Sequence, residues 1–209
     1  MDERATLIQG AEALGVSLPA DAATRLLRLL DELERWNHAY NLTSIVDRGQ
    51  MLTHHLLDSL SIHGELRGTA VADVGTGAGF PGLPLAITAP QRHFTLIDSG
   101  NKKVRFVAHA VRALGLANVA AVHSRVEVMR PAVPFDCVVA RAFASLPDLL
   151  ERIDPLCDEH TRVLAMKGRR PEEEVAAVRA PWRILETRRL QVPGLGEARH
   201  LVVLERRER

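Results

Sequence analysis

Val71-Ala72-Asp73-Val74-Gly75-Thr76-Gly77-Ala78-Gly79-Phe80-Pro81-Gly82 decides how the rest of this chain is read. An apolar run ends in Asp73, glycines follow at 75, 77, 79 and 82, and Pro81 begins what reads as a helix. A strand that turns sharply into a helix over bare backbone is how parallel α/β sheets make room for a nucleotide-like cofactor. The plainer alternative is a turn that only packs a helix on a strand.

From Ala70 onward short apolar runs alternate with amphipathic stretches. Strands are expected at 70–74, 93–98, 118–122, 135–140 and 161–166, and helices at 81–89, 101–114, 124–129, 146–157 and 171–179. That alternation calls for right-handed βαβ crossovers and a mostly parallel sheet. Two more strands, 182–192 and 199–206, are joined by the turn-rich Val192-Pro193-Gly194-Leu195-Gly196-Glu197, so a hairpin-like pair closes the edge of a seven-stranded sheet. No strand is expected before Thr69. A short helix spans 5–14, and Pro19 opens a second. Its Leu26, Leu29, Leu30, Leu33, Trp36 and Tyr40 keep helical spacing, with Arg25, Arg28, Asp31, Glu32 and Arg35 largely outside. A third helix runs from about Gln50 to His63. The expected organisation is a helical cap over 1–65 and an α/β domain over 66–209.

Composition narrows the class. With 46% hydrophobic and 25% charged residues, the 209-residue chain suits one globular domain with a small extension. No apolar run approaches the roughly 20 residues of a membrane span, and no signal-peptide core follows Met1-Asp2-Glu3-Arg4. Cys137 and Cys157 lack CxxC or His/Cys spacing, which points to reduced thiols in the cytoplasm and away from a metal site. The net charge of +1 is no nucleic-acid signature, but its distribution is uneven. Residues 1–60 carry 5 basic and 9 acidic side chains, whereas 162–209 carry 12 and 7. Lys167, Arg169, Arg170, Arg179, Arg183, Arg188 and Arg189 form either a basic working face or a solvated surface.

Gly77-Ala78-Gly79-Phe80-Pro81-Gly82 satisfies GxGxxG, which alone suggests a dinucleotide. Asp73, two residues before the first glycine, extends it to Asp-x-Gly-x-Gly-x-Gly, which resembles motif I of class I S-adenosylmethionine-dependent methyltransferases. S-adenosylmethionine has no pyrophosphate for a helix N-terminus. Its ammonium needs an acidic or carbonyl partner, and Asp73 is placed to help, directly or through the loop backbone. Asp98, ending His93-Phe94-Thr95-Leu96-Ile97, can accept both ribose hydroxyls or cap the helix at 101–114. Ser124-Arg125-Val126-Glu127 falls where such folds surround an adenine.

These stretches combine with Asn41-Leu42-Thr43, His55, Leu57-Asp58-Ser59, Asp98-Ser99, Lys102-Lys103, Phe106, Arg141-Ala142-Phe143-Ala144, Lys167-Gly168 and Arg199-His200. Together they resemble, over nearly the whole chain, the bacterial 16S rRNA guanine-N7 methyltransferase G family, also called glucose-inhibited division protein B. The resemblance implies a Rossmann-like class I methyltransferase fold with S-adenosyl-L-methionine as cofactor and S-adenosyl-L-homocysteine as product. It implies methylation of N7 of a guanine in 16S rRNA, guanine 527 in rRNA numbering, and cofactor contacts at Gly75, Phe80, Val126, Glu127 and Arg141. Asp73, Gly77, Gly79 and Asp98 complete the expected cofactor set.

Amine methyltransferases commonly carry Asp/Asn-Pro-Pro-aromatic at the end of the fourth strand. Here Val138-Val139-Ala140-Arg141-Ala142-Phe143 stands there, and N7, which bears a lone pair and no proton, needs no general base. Three residues are expected to serve the reaction. Arg141 would bind the cofactor carboxylate, guanine O6 or a phosphate, or be a salt-bridged structural arginine. Lys167 would contact the rRNA backbone, and Phe143 would stack on the base or belong to the core. Lys102, Lys103 and Arg105 face the rRNA, the cofactor or solvent. His54 and His55 point different ways on one helix, and His55 is expected to hydrogen-bond Asn41. The expected partner is 16S rRNA within the 30S subunit, met by a monomer with no membrane or metal involved. A non-catalytic ribosome assembly factor and an NAD(P)-dependent oxidoreductase are the competing functions.

Overall fold

The computed structural model describes residues 2–169 and 171–207. Arg170, part of the expected basic stretch, lies outside them. Seven strands, β1 (Ala70–Val74), β2 (His93–Asp98), β3 (Val119–His123), β4 (Cys137–Arg141), β5 (Arg162–Lys167), β6 (Trp182–Leu190) and β7 (Arg199–Arg206), form one sheet in the order β3-β2-β1-β4-β5-β7-β6. All neighbours are parallel except β7, which runs antiparallel to β5 and β6. This is the expected α/β architecture with its closing hairpin. The chain reverses its direction of travel across the sheet between β1 and β4, and the crevice beyond such a switch point is where open α/β sheets bind ligands.

The strand period of two sorts side chains onto two faces. Val71, Phe94, Leu96, Val139, Leu164 and Met166 join one core. Ala72, Val74, Ile97, Val138, Ala140 and Val163 join the other. The first core continues into the N-terminal helices α1 (Glu3–Ala13) and α2 (Ala22–Tyr40) through Leu7, Leu26, Leu29, Leu30 and Leu33. α5 (Gly82–Thr88) and α6 (Asn101–Leu114) pack on the same face, and α7 (Leu146–Ile153) on the other. α8 (Glu172–Ala177) buries no residue fully.

Several expectations change. α2 starts at Ala22, with Pro19 outside it, its carbonyl accepting from Ala22 N–H. Glu32, expected outside, is 4% exposed, with its Oε2 2.8 Å from His109 Nε2 on α6. The third helical stretch begins at α3 (Arg48–Met51), widens into a π-helical segment (Leu52–Leu57) and ends in α4 (Asp58–Leu60). The helix expected over 124–129 is only a 3-10 turn, Val126–Val128. Both cysteines are buried and free, and burial pushes the Cys137 thiol up to about 11. Among the described residues no helix is long and apolar enough to cross a membrane, and no cluster of metal-ligating side chains occurs.

Phe106 joins α2 to the sheet. It is fully buried, and its ring meets Trp36 edge-on at 5.7 Å. Phe106→Ala should cost about 3–5 kcal/mol in chemical denaturation. A loss below about 1 kcal/mol would mean that α2 is not packed on α6 as described.

Candidate functional site

The glycine turn is held from beneath by Asp73. Its Oδ2 accepts from Thr76 Oγ1 at 2.6 Å and from Gly82 N–H at 2.7 Å, and its side chain is completely buried. Oδ1 has no hydrogen-bond partner. Burial is the main reason that this carboxyl is pushed up to about 6. A Cβ on Gly82 would stand 2.6 Å from that Oδ2, so glycine there lets the carboxylate reach the helix start. The contacts that Asp73 makes are thus to the loop itself.

Asp98 holds the same loop from the next strand. Its Oδ2 accepts from Gly77 N–H at 2.9 Å and its Oδ1 from Gly100 N–H at 2.7 Å. Gly75 and Thr76 N–H both donate to Ile97 O, at 2.9 and 3.0 Å. Gly75, Gly77 and Gly79 all have positive φ. At Gly75 (φ +67°) a Cβ would also fall 2.7 Å from Phe143 Cδ2, so the position excludes side chains twice over.

Above this loop opens a polar crevice of about 450 Å³. Gly75, Asp98, Val126, Glu127 and Phe143 line it, as do Ser99, Lys103, Ser124, Arg125, Ala142, Ala144 and Arg152. Lys103 Nζ lies 3.7 Å from Asp98 Oδ2, which offsets placing a cation in the first turn of α6. Arg152 lies over the Phe143 ring at 5.8 Å, and that half-buried ring also packs on the second core. Asp73, Gly77, Gly79 and Phe80 do not line the crevice. Phe80 is 4% exposed, stacked on His55 at 4.7 Å and covered by the Arg141 guanidinium at 5.7 Å.

A second cavity, of about 360 Å³, shares Ala142 with the first. Ile45, Met166, His54, His55, Arg141, Lys167 and Arg199 are among its walls. Asp58, which is 1% exposed, organises it. Its Oδ2 accepts from Arg141 Nη1 at 3.0 Å, and its Oδ1 lies 3.3 Å from Arg199 Nε. Arg141 Nη1 also donates to His54 O at 2.7 Å. Asp58 and Arg199 entered the resemblance without a role. The signal for Asp58 was an acid inside Leu56-Leu57-Asp58-Ser59-Leu60, where an apolar helix face demands a cationic partner.

Lys167 is not extended towards solvent. It donates to Ala144 O at 2.9 Å and pairs with Glu174 at 2.7 Å, so a phosphate contact would compete with both. Part of the expected basic face is neutralised likewise. Arg183 pairs with Glu205, and Arg188 with Glu65. His55 Nε2 lies 3.2 Å from Thr43 Oγ1 in place of the expected Asn41, which caps the end of α2 in a left-handed conformation.

Burial, helped by the Arg141 charge, holds the His55 imidazole down at about 3. Above its unfolded value of 6.5 the ring is neutral in both states, and the stability tied to neutrality is complete. As pH falls from there towards 3, the unfolded chain takes a proton that the folded ring refuses, and that stability is lost. In an NMR titration the folded His55 ring should stay neutral from about pH 8 to 5. A midpoint near the ordinary histidine value would contradict its burial against Phe80.

The sequence profile described as rRNA small subunit methyltransferase G matches residues 22–202. A protein from Aromatoleum aromaticum named ribosomal RNA small subunit methyltransferase G is 47% identical over 207 residues, covering 97% of this chain and 98% of that protein. One of the same name from Pseudomonas paraeruginosa is 48% identical over 202 residues, covering 96% and 94%. In fold, the chain is similar to a SAM-dependent methyltransferase from Aquifex aeolicus, with a TM-score of 0.55 at 19% identity over 78% of this chain and 96% of that one. The glycine turn, its two acids and the crevice above them thus sit in a chain that belongs to the rRNA small subunit methyltransferase G family.

Proposed function

We infer that this chain is an S-adenosylmethionine-dependent rRNA methyltransferase that acts on N7 of a guanine in 16S rRNA, guanine 527 by family resemblance. In this reading residues 1–65 form a cap on the cofactor-binding domain of 66–209. The observation that carries it is the pair of cavities meeting at Ala142, one polar and built on the glycine loop, the other walled by Ile45, Met166, two histidines and two arginines paired with Asp58.

The first cavity's donor set fits the cofactor. Each Asp98 oxygen already accepts one backbone N–H and keeps capacity for another donor, as two ribose hydroxyls require. Val126, 5% exposed, offers an apolar surface beside the Glu127 carboxylate. S-adenosylmethionine, when bound, supplies a methyl group on a sulfonium centre. The bare glycine backbone lets a ligand approach closely, and Phe143 closes the wall facing it. Arg141 lines the second cavity and serves the acceptor side there, while Lys167 lines it with its ammonium held by Ala144 O and Glu174.

That second cavity is built to position rather than to deprotonate. Asp58 is committed to two arginines, and His55 has lost its basicity to burial. A ring nitrogen with a free lone pair suits such walls, since alignment and exclusion of water then supply most of the rate. The spare N–H groups of Arg141 and Arg199 suit guanine O6 or a phosphate. Both cavities come from one chain, which supports action as a monomer. With a net charge of +1 and many arginines already paired, the grip on free RNA is weak, which favours the folded 30S particle as substrate.

The test is transfer of labelled methyl from S-adenosylmethionine to 30S particles that lack the modification, followed by nucleoside mass spectrometry. The expected product is 7-methylguanosine from 16S rRNA, at a single-turnover rate flat across about pH 7 to 9. Label on an exocyclic amine, or none on RNA, would overturn the reading.

A further inference from the structure

The two cavities share a wall, and that wall is held by a residue far down the chain. Ala142 has φ +51°, a left-handed conformation that costs a residue with a Cβ and persists where neighbouring contacts impose it. Ala142, Phe143 and Ala144 all line the cofactor crevice, and Ala142 lines the second cavity as well. The next residues open α7, with Ser145 as its N-cap.

Two contacts from outside the crevice fix this stretch. Lys167 Nζ, at the end of β5, donates to Ala144 O at 2.9 Å. Glu174 Oε2, on α8, accepts from that same ammonium at 2.7 Å and from Leu146 N–H at 2.6 Å. One carboxylate oxygen therefore ties down both the ammonium that grips the loop and the first amide of α7. The amide is one that a helix start leaves unsatisfied, and a carboxylate there is favoured by the helix dipole. The Lys167 side chain is only 13% exposed, so this pair is less screened than an ordinary surface ion pair.

We propose that Glu174 is a positioning residue for methyl transfer. Acting through Lys167 and Leu146 N–H, it holds the Ala142–Ala144 wall and keeps Phe143 against Gly75. Lys167 shares the role, as the link between Glu174 and the loop. The proposal rests on the methyltransferase reading, because the wall matters to the rate only if the two cavities hold donor and acceptor. The restraint itself is independent of that reading.

Glu174→Ala, Glu174→Gln and Lys167→Met in the full chain separate these points. The single-turnover rate with 30S particles, at saturating S-adenosylmethionine, should fall about tenfold or more in Glu174→Ala and Lys167→Met, since small misplacement of reacting groups is costly. Glu174→Gln keeps an oxygen that accepts from both donors and should stay within about threefold of the parent. The Glu174→Ala/Lys167→Met double variant should be no slower than its slower parent, because both act on one loop. Hydrogen exchange of the 142–146 amides should speed up in Glu174→Ala while thermal unfolding stays cooperative. Parental rates in both single variants, multiplying effects in the double variant, or unchanged exchange would overturn the proposal. If the parent chain labels no RNA, the methyltransferase reading fails, and the exchange measurement still decides whether Glu174 holds the loop.

Discussion

The buried carboxylate of Asp73 is the contact on which the site depends. A strand cannot turn into a helix over Gly75-Thr76-Gly77-Ala78-Gly79 and keep one shape without something beneath to accept its polar groups. Asp73 does this with one oxygen, which binds a side chain three residues on and a backbone amide nine residues on. The cost is visible in the carboxyl pushed up to about 6 and in Oδ1 left without a partner. Gly82 is small enough to let the helix start reach that carboxylate, and Asp98 repeats the device from the neighbouring strand. The two acids thus hold a glycine run in one shape beneath the polar crevice.

Beyond that floor the site divides its labour. The polar crevice is lined by short loops at the carboxyl ends of the strands. The second cavity instead draws on the N-terminal helical region, since Asp58 from α4 pins Arg141 from β4 and Arg199 from β7. A buried ion pair of this kind adds little to stability once desolvation is counted. Its effect is to fix two guanidinium groups in the wall of the second cavity. The N-terminal helices are therefore part of the site as well as of the core.

The sheet and the glycine turn were legible because their signals are local. β1, β2 and β7 match the expected ranges, since apolar runs between turn residues mark a strand without knowledge of its neighbours. Donor–acceptor pairs across long sequence separations were not legible. Glu32 reads as a surface residue until His109 is brought beside it, 77 positions away. Lys167 reads as a free cation until Glu174 takes it, and His55 reads as a partner of Asn41 until the fold gives it Thr43. The basic C-terminal quarter reads as a working face for the same reason, because pairs such as Arg188 with Glu65 form only once β6 meets the helical region. The stretch 124–129 reads as a helix, but it is too short to carry its own signal and folds only into the turn Val126–Val128.

Asp73 shapes the glycine loop, and in the proposed function that loop is the floor on which the cofactor rests. Calorimetric titration of the Asp73→Ala chain with S-adenosylhomocysteine tests this most directly, alongside circular dichroism to establish that the chain is folded. The account predicts a folded variant whose affinity is at least about tenfold weaker than the parent's, because Thr76 and Gly82 lose a shared buried acceptor. Parental affinity in a folded Asp73→Ala chain would contradict it.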